Sequence, residues 1–271
     1  MGFLESLFDL PVDLTSVIVL GGLAVARIAP IFFLVPFLGG KTLPNEAKIA
    51  LAVVLAVVLF PALAPGLASV PSSPVAVAAL LAKEVLIGAA LGIVAALPFS
   101  ALEMSGRIID TLRGATMSEV LDPHSGQRIS PIGELHLLVG VAVFLAIGGH
   151  RAFLRTLARS FVEVPLLSFP SADAATAGAF ASGVAHLGGA ALAAALGLAG
   201  PAIVALVTTE IALGILNRAA PQMGVYFVGM PLRAAAGLLA AMLTVALLLP
   251  VLRDGAGDAI RVLGQLLHSL P

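Results

Sequence analysis

Long apolar blocks alternate with short polar connections along the whole chain. Each block is a nearly continuous run of Ala, Leu, Val and Ile, and several approach the ~20 residues that a helix needs to cross a bilayer. The ~10-residue alternation typical of a transmembrane barrel does not occur in them. This pattern predicts an all-α integral membrane protein. The six blocks are Thr15–Leu38, Ile49–Leu63, Val75–Leu102, Ile132–Gly148, Gly178–Leu216 and Pro231–Leu252.

Composition strengthens this prediction and narrows the function. Of 271 residues, 60% are hydrophobic and 11% are charged, whereas soluble domains carry about 25% charge. The chain has no cysteine and a net charge of −1, which excludes a disulfide framework and a basic field for nucleic acid. Hydrolase motifs are missing, and the five histidines do not cluster at metal-ligand spacing. We therefore expect contact with membrane lipid, no nucleic acid, no metal or cofactor, and no enzymatic activity.

Glycine and proline interrupt nearly every block. A proline removes one helical hydrogen bond and kinks the helix, and such breaks survive at membrane depth only where protein or water covers the freed backbone. The fifth block is expected to divide into two helical pieces at Gly200-Pro201. The interruptions predict helices surrounded by other helices, although ordinary kinked spans carry the same residues.

Four charged residues lie well inside the apolar blocks, away from the block ends. Lys83 and Glu84 are adjacent in the third block, and each costs ~2.5–3.5 kcal/mol at the centre of a membrane helix. Adjacent helical side chains point about 100° apart, so each is expected to find a partner on another helix or chain. Arg27 in the first block and Glu210 in the fifth block are also charged residues in apolar surroundings that need such partners. The alternatives are a shifted segment in which Lys83 reaches the membrane surface, and an ion or proton pathway.

Gly88 and Gly92 form a GxxxG pattern on the helix that carries Lys83 and Glu84. Small residues at this spacing allow two helices to approach closely. The pattern predicts a helix-packing face, although chance also produces it in a chain with 28 glycines.

The basic residues do not fit a simple bundle of spans. Lys41 and Lys48 place the tip of the first hairpin in the cytoplasm by the positive-inside rule. Counting onward, the end of the fourth block falls on the opposite side, yet Arg151, Arg155 and Arg159 follow it. Broken helices that stop partway through the membrane would produce this conflict.

The most polar segment of the chain is internal. Eight of the 29 charged residues (14 basic plus 15 acidic) lie among the 32 positions from Glu103 to Glu134. The first part is typical of a helix end, with an i+4 pair between Glu103 and Arg107 and an i+3 pair between Arg107 and Asp110. Gly114 suits a left-handed cap that ends this helix.

A short, partly apolar insert and a turn follow this helix end. Met117, Val120 and Leu121 are unusual in a free aqueous loop. The run from Asp122 to Gly126 is a strong turn signal, and Pro131 suits the first position of the next helix. From spacing alone, a solvated connection and a loop that inserts into a cavity fit this segment equally well.

A series of residues, ordered along the chain, resembles the FliR/SctT family of the type III secretion export apparatus. The likeness extends from about Thr15 to Leu252, and no short motif within it is specific alone. The sequence Arg-Gly-Ala-Thr-Met at positions 113–117 favours the injectisome (SctT) branch over the flagellar (FliR) branch. The residues that carry the resemblance are Arg27, Pro30, Pro36, Lys83, Glu84, Gly88, Gly92, Gly106, Arg113–Met117, Asp122-Pro123, Gly126-Gln127, Ser130-Pro131, Gly149-His150 and Pro221-Gln222-Met223.

The resemblance implies a multi-pass protein of the bacterial inner membrane, located in the base of a secretion system. Bent hairpins with broken helices would form one export-gate domain over residues 1–271, as if a FliP-like part (about 15–165) and a FliQ-like part (about 175–255) were fused. FliP/SctR-like and FliQ/SctS-like proteins would complete the entrance pore. FlhB/SctU-like and FlhA/SctV-like proteins and unfolded export substrates are further implied partners.

The resemblance also implies roles for individual residues. In the family, the loop that matches Gly114–Asp122 projects into the pore and helps to plug it. Met117 and Val120 stand where flagellar members have bulky aromatic residues, so this chain departs from the pattern there. The implied plug is Thr116, Met117, Ser118, Glu119, Val120 and Leu121; the charges within the membrane assembly are Arg27, Lys83, Glu84 and Glu210; the packing and turn residues are Gly88, Gly92, Gly106, Gly114, Pro131, Pro221 and Gln222.

Two other functional classes compete with a channel component. A secondary transporter with a midplane site is consistent with broken helices and buried charges, but the sequence contains no apparent inverted repeat. An intramembrane enzyme is disfavoured by the missing motifs. Purification in mild detergent distinguishes these classes, because an export gate would copurify with several copies of two small helical proteins.

Overall fold

The computed structural model describes residues 14–40, 43–63, 70–71, 73–114, 120–121, 128–169 and 174–268. Within these residues the fold is almost wholly helical, so the all-α prediction is confirmed. Short 3₁₀ turns lie at Pro36–Leu38 and Pro221–Met223. Seven α-helices occur in the described part of the chain: α1 (Leu14–Leu34), α2 (Asn45–Leu63), α3 (Pro74–Leu112), α4 (Pro131–Ala146), α5 (Gly149–Glu163), α6 (Ala174–Ala219) and α7 (Val225–His268).

A minimal β-hairpin lies between α3 and α4. Strand β1 (Val120–Leu121) pairs antiparallel with strand β2 (Arg128–Ile129), and Val120 is opposite Ile129. Sequence reasoning missed these strands because two residues are too few to show a period-2 alternation. The predicted turn at Asp122–Gly126 lies outside the described residues.

The helices are consistent with a multi-pass membrane protein. Among the described residues, four helical segments are long and apolar enough to cross a bilayer, and α4 with α5 makes a fifth if that bent pair is counted as one span. The break in this pair falls at Gly148, which adopts φ +77°. Arg151, Arg155 and Arg159, the basic residues that did not fit a simple bundle of spans, belong to α5. They follow immediately after the break, so the predicted broken helix is present. The four segments are Thr15–Leu34, Pro74–Leu112, Ala181–Ala219 and Val225–Gln265.

The expected division of the fifth block at Gly200-Pro201 is wrong. Helix α6 runs for 46 residues with Pro201 inside it, and at 1.5 Å per residue it is about 69 Å long. Ala199 and Ala202 beside the proline are buried. In an apolar environment no water is available to satisfy backbone groups freed by a full break, so losing one hydrogen bond costs less than unwinding the helix.

The chain divides into two compact units, each made of separate stretches. The first comprises the described residues of 1–96, 151–181 and 260–271. Its core includes Leu23 and Ile28 of α1 and Leu157 of α5, all with at most 1% exposure. Phe37 meets Phe153 edge to face, with ring centroids 5.3 Å apart.

The second unit comprises residues 97–150 and 182–259, as far as they are described. Its core joins Ile109 of α3 and Ile132 of α4 to Leu206 of α6 and Ala240 of α7. Small alanines on α6 and α7 let these helices approach closely. This core lies beneath the place where α3 ends and α4 begins, and so supports both ends of the polar segment.

Candidate functional site

Arg27, Lys83 and Glu84 form a buried charge cluster in the first unit. Arg27 and Glu84 are fully buried, and Lys83 is 8% exposed. Arg27 Nε donates to Glu84 Oε2, and Lys83 Nζ lies 2.6 Å from Glu84 Oε1. One carboxylate therefore sits between two cations, which offsets much of the cost of burying each charge.

The sequence argument about Lys83 and Glu84 is wrong in one respect. Adjacent side chains were expected to diverge too far to pair, yet the two form an ion pair. The long aliphatic stem of lysine can bend back toward its neighbour. Glu84 also has a partner on another helix, Arg27 of α1.

Both cations of the cluster also hold the C-terminal end of α5. Arg27 Nη1 donates to Ser160 O at 2.7 Å and Nη2 to Val164 O at 2.8 Å. Lys83 Nζ donates to three carbonyls of the segment that follows α5, at 2.8–3.1 Å. The last carbonyls of a helix lack partners within it, and the helix dipole favours cations there. Sequence reasoning missed this role because backbone acceptors carry no sequence signal.

Two glycines of α3 bring it close to α1. A Cβ added at Gly88 would collide with the carbonyl oxygen of Arg27, and one at Gly92 would lie 2.9 Å from a methyl carbon of Leu34 and 3.4 Å from Ile31 Cα. The absence of side chains at these positions lets the charged residues of both helices meet.

The second polar site lies where α3 ends and α4 begins, and we call Asp110, Arg113, Ser130 and Ile132 the loop-base cluster. Asp110 is 5% exposed. Its Oδ1 accepts from Arg113 Nε at 2.7 Å, and its Oδ2 accepts from Ile132 N at 2.9 Å and from the hydroxyl of Ser130. The cluster thus joins residues on both sides of the segment that contains the candidate plug.

The ends of this segment have the local geometry that sequence analysis anticipated. Gly114 adopts φ +77° just after α3 ends, and Pro131 is the first residue of α4, with Ser130 as its N-cap. Ser130 Oγ accepts from Gly133 N at 3.0 Å. A Cβ at Gly106 would collide with the backbone of Gly133, so α3 and α4 are in close contact here.

One expected ion pair of the polar segment is replaced by another. Arg107 bonds Glu103 at 2.6 Å, as the i+4 spacing suggests. Asp110 pairs with Arg113 rather than with Arg107. Arg107 is more than half exposed, whereas Asp110 is buried. Asp110 therefore points toward the start of α4, away from the solvent-facing side of α3.

The remaining predicted site residues lie apart from these two clusters. Glu210 forms an ion pair with Arg233 of α7. Pro221 begins a 3₁₀ turn and Gln222 is exposed in it. Of the candidate plug, Val120 and Leu121 form β1. Its other members, Thr116, Met117, Ser118 and Glu119, lie outside the described residues.

A buried polar contact in the second unit had no sequence signature. His136 of α4 lies between Ser105 of α3, with 2.9 Å from Nδ1 to the hydroxyl, and Thr244 of α7, with 3.2 Å from Nε2. All three residues are fully buried. The spacing of the histidines could not reveal this contact, because the partners of His136 are hydroxyl groups on helices that are distant in sequence.

Comparison with known proteins adds an independent line of evidence. The profile of the family described as "Bacterial export proteins, family 1" matches residues 18–258. Flagellar biosynthetic protein FliR of Pectobacterium carotovorum is 31% identical over 227 residues, covering 83% of this chain and 82% of that protein. Surface presentation of antigens protein SpaR of Shigella sonnei is 31% identical over 208 residues, 76% of this chain and 77% of that protein. Yop proteins translocation protein T of Yersinia pestis is 32% identical over 157 residues, 58% of this chain and 59% of that protein.

Proposed function

Because the chain belongs to the FliR/SctT family of bacterial export proteins, and is a multi-pass inner-membrane protein of protein export, we propose that it forms part of an export gate. In this proposal FliP/SctR-like and FliQ/SctS-like proteins complete the entrance pore, beside FlhB/SctU-like and FlhA/SctV-like partners. Unfolded proteins are the cargo. A FliR of flagellar biosynthesis and a Yop translocation protein match at 31% and 32% identity, so identity does not separate the two branches, and the injectisome branch stays a prediction.

The loop-base cluster is the observation that carries the plug assignment. It joins the end of α3 to the start of α4 through one buried carboxylate, so the two ends of the intervening segment are held together. A loop fastened in this way can hold a defined position in a pore, whereas a free connection samples many. We therefore assign Thr116–Leu121 as the plug of a closed channel.

The plug acts sterically in this proposal. Met117, Val120 and Leu121 supply apolar side chains, which would fill a narrow pore and exclude water and ions. No bond is made or broken by this chain, so a non-enzymatic role suffices. Energy for export would come from partner proteins, and opening would require the loop to leave the pore.

Deletion of Thr116–Leu121 tests the plug. Complexes assembled with the partner proteins and reconstituted in planar bilayers should show a higher ion conductance when these six residues are absent. Deletion of residues 64–69, an equally long segment of the connection after α2, is the matched control and should leave the conductance unchanged. Equal conductance in the parent complex and the plug deletion would contradict the assignment.

The transporter alternative has less support than the sequence suggested. The charges that could have formed a midplane site, Arg27, Lys83 and Glu84, bind one another and the end of α5. The native mass of the protein purified in mild detergent separates the two functions. An export gate gives a complex with several copies of two small helical proteins. A lone monomer or homodimer with substrate-dependent proton flux supports the transporter.

A further inference from the structure

Helix α5 carries three arginines on one of its faces. Arg151, Arg155 and Arg159 recur at every fourth residue, and at 100° per residue they lie within an arc of about 80°. Successive members are about 6 Å apart along the helix axis. All three side chains are exposed. We call these three residues the arginine stripe.

The opposite face of α5 is packed in the first unit. Phe153, Leu157 and Phe161 follow the same four-residue spacing and are at most 6% exposed. The guanidinium carbon of Arg27 lies 4.5 Å from the centre of the Phe161 ring. Because this packing fixes the orientation of the helix, the arginine stripe is presented outward as one set of charges.

The charges of the arginine stripe are not neutralised within the described part of the chain. None of its three guanidinium groups has an ion-pair or hydrogen-bond partner among the residues that the structure describes. Even Glu163, four residues after Arg159, leaves its Oε2 without a hydrogen-bond donor. A guanidinium keeps its charge in proteins and offers five N–H donors. Three such groups on one exposed arc therefore suit an anionic ligand from outside the chain.

The place of α5 in the chain favours a ligand at the membrane surface. It follows the apolar helix α4 directly, after the break at Gly148. Unpaired arginines are costly in hydrocarbon, so α5 suits the level at which an apolar span ends and lipid headgroups begin. Val162 lies in the same arc as the arginine stripe and is 74% exposed. A phospholipid offers phosphate to the arginines and acyl chains to this side chain, whereas a soluble acidic segment would supply only the charge.

We propose that the arginine stripe is a binding site for the headgroups of anionic phospholipids. Arginine binds phosphate oxygens through two parallel hydrogen bonds, and basic clusters beside membrane spans attract anionic lipid. The site holds α5 at the membrane surface. It also gives a role to three basic residues that do not fit a simple count of spans. This inference goes beyond the proposed gate and does not depend on the plug.

Native mass spectrometry of the whole chain in a non-ionic detergent measures this binding. Dioleoyl phosphatidylglycerol and dioleoyl phosphatidylcholine share their acyl chains, so a difference between them reports on the headgroup. The parent should bind phosphatidylglycerol more tightly. The triple variant Arg151→Gln, Arg155→Gln, Arg159→Gln should lose about a hundredfold in this affinity, at about fivefold for each arginine. Equal affinity of the parent for the two lipids, or an unchanged affinity in the triple variant, would overturn the site.

The matched control removes the same charge from exposed positions of α6 and α7. It combines Arg218→Gln, Arg253→Gln and Arg261→Gln, and its affinity for phosphatidylglycerol should stay close to that of the parent. A loss as large as that of the triple variant would show that net charge alone attracts the lipid. Thermal unfolding without added lipid checks that each variant is folded. If the triple variant is not, Arg155→Gln alone should lower the affinity about fivefold, and a parent affinity would overturn the site.

An acidic segment of a partner protein is the alternative occupant. In that case the triple variant would bind phosphatidylglycerol as the parent does and would fail to copurify with its partner proteins, which overturns the lipid site. Sodium phosphate should displace phosphatidylglycerol no better than sodium chloride at the same ionic strength. Preferential displacement by phosphate would assign the stripe to a small anion instead. None of these results depends on the conductance of the plug deletion, so the failure of one proposal is distinct from the failure of the other.

Discussion

The two polar clusters fasten opposite ends of the α4–α5 pair with opposite charges. At the start of α4, the carboxylate of Asp110 receives the N–H of Ile132. At the end of α5, Arg27 donates to Ser160 O and Val164 O, and Lys83 donates to Leu166 O of the segment that follows. Anions are favoured at helix N-termini and cations at C-termini. In each unit, the charge that suits the backbone groups at the helix end comes from α1 or α3.

The clusters differ in how completely they are enclosed. Arg27 and Glu84 have no exposed surface, whereas in the loop-base cluster Arg113 is 18% exposed and a long connection lies between its two sides. Breaking the first cluster leaves charges with no route to water. The second is less enclosed, so breaking its ion pair should cost less.

Arg27→Met should give the largest loss of stability. It leaves Glu84 with Lys83 as its charge partner and removes donors from Ser160 O and Val164 O. Removing one partner of a buried ion pair costs about 3–5 kcal/mol. The free energy of unfolding of the detergent-solubilised protein should fall by about that amount.

Arg27→Lys sharpens this result because it keeps the charge and loses the planar fork that bonds Glu84 and two carbonyls at once. It should recover only part of the loss. An Arg27→Met protein as stable as the parent would show that the cluster does not fasten α5.

Gly88→Ala should have the next largest effect. The new methyl group would meet the carbonyl oxygen of Arg27, so α1 and α3 must separate, at a cost of about 1–3 kcal/mol. Gly22→Ala on α1 is the matched control, because nothing lies within 4 Å of a Cβ there. It should stabilise the helix by about 0.5–1 kcal/mol. Thermal unfolding of the two variants should therefore shift in opposite directions, and a common direction would contradict close α1–α3 packing.

The sequence was sufficient for the features that local rules determine. Apolar block length predicted the all-α membrane fold, and Gly114 and Ser130-Pro131 predicted where α3 ends and α4 begins. The left-handed cap and the N-cap are set by a few neighbouring residues. These predictions need no knowledge of distant contacts.

Long-range partners could not be predicted in the same way. The i+3 rule allows Asp110 to pair with Arg107 or Arg113, and only the position of α4 decides in favour of Arg113. The carbonyls bound by Arg27 and Lys83 are backbone atoms that any sequence provides. Pro201 indicated a break, but α6 continues through it, and its neighbours Ala199 and Ala202 are packed in the core of the second unit. In each case tertiary packing overrode a local preference.

Arg107→Ala should have the smallest effect and sets the baseline for the comparison. Arg107 and Glu103 form an i+4 ion pair at 2.6 Å, but the Arg107 side chain is 56% exposed. Water and salt screen such a pair, so its removal should change the free energy of unfolding by less than about 0.5 kcal/mol. The change should shrink further at high ionic strength, because exposed charges are screened within a Debye length. Denaturation at two salt concentrations measures the change in the free energy of unfolding and its dependence on ionic strength. A salt-independent loss as large as that of Arg27→Met would show that exposure does not distinguish the ion pairs of this protein.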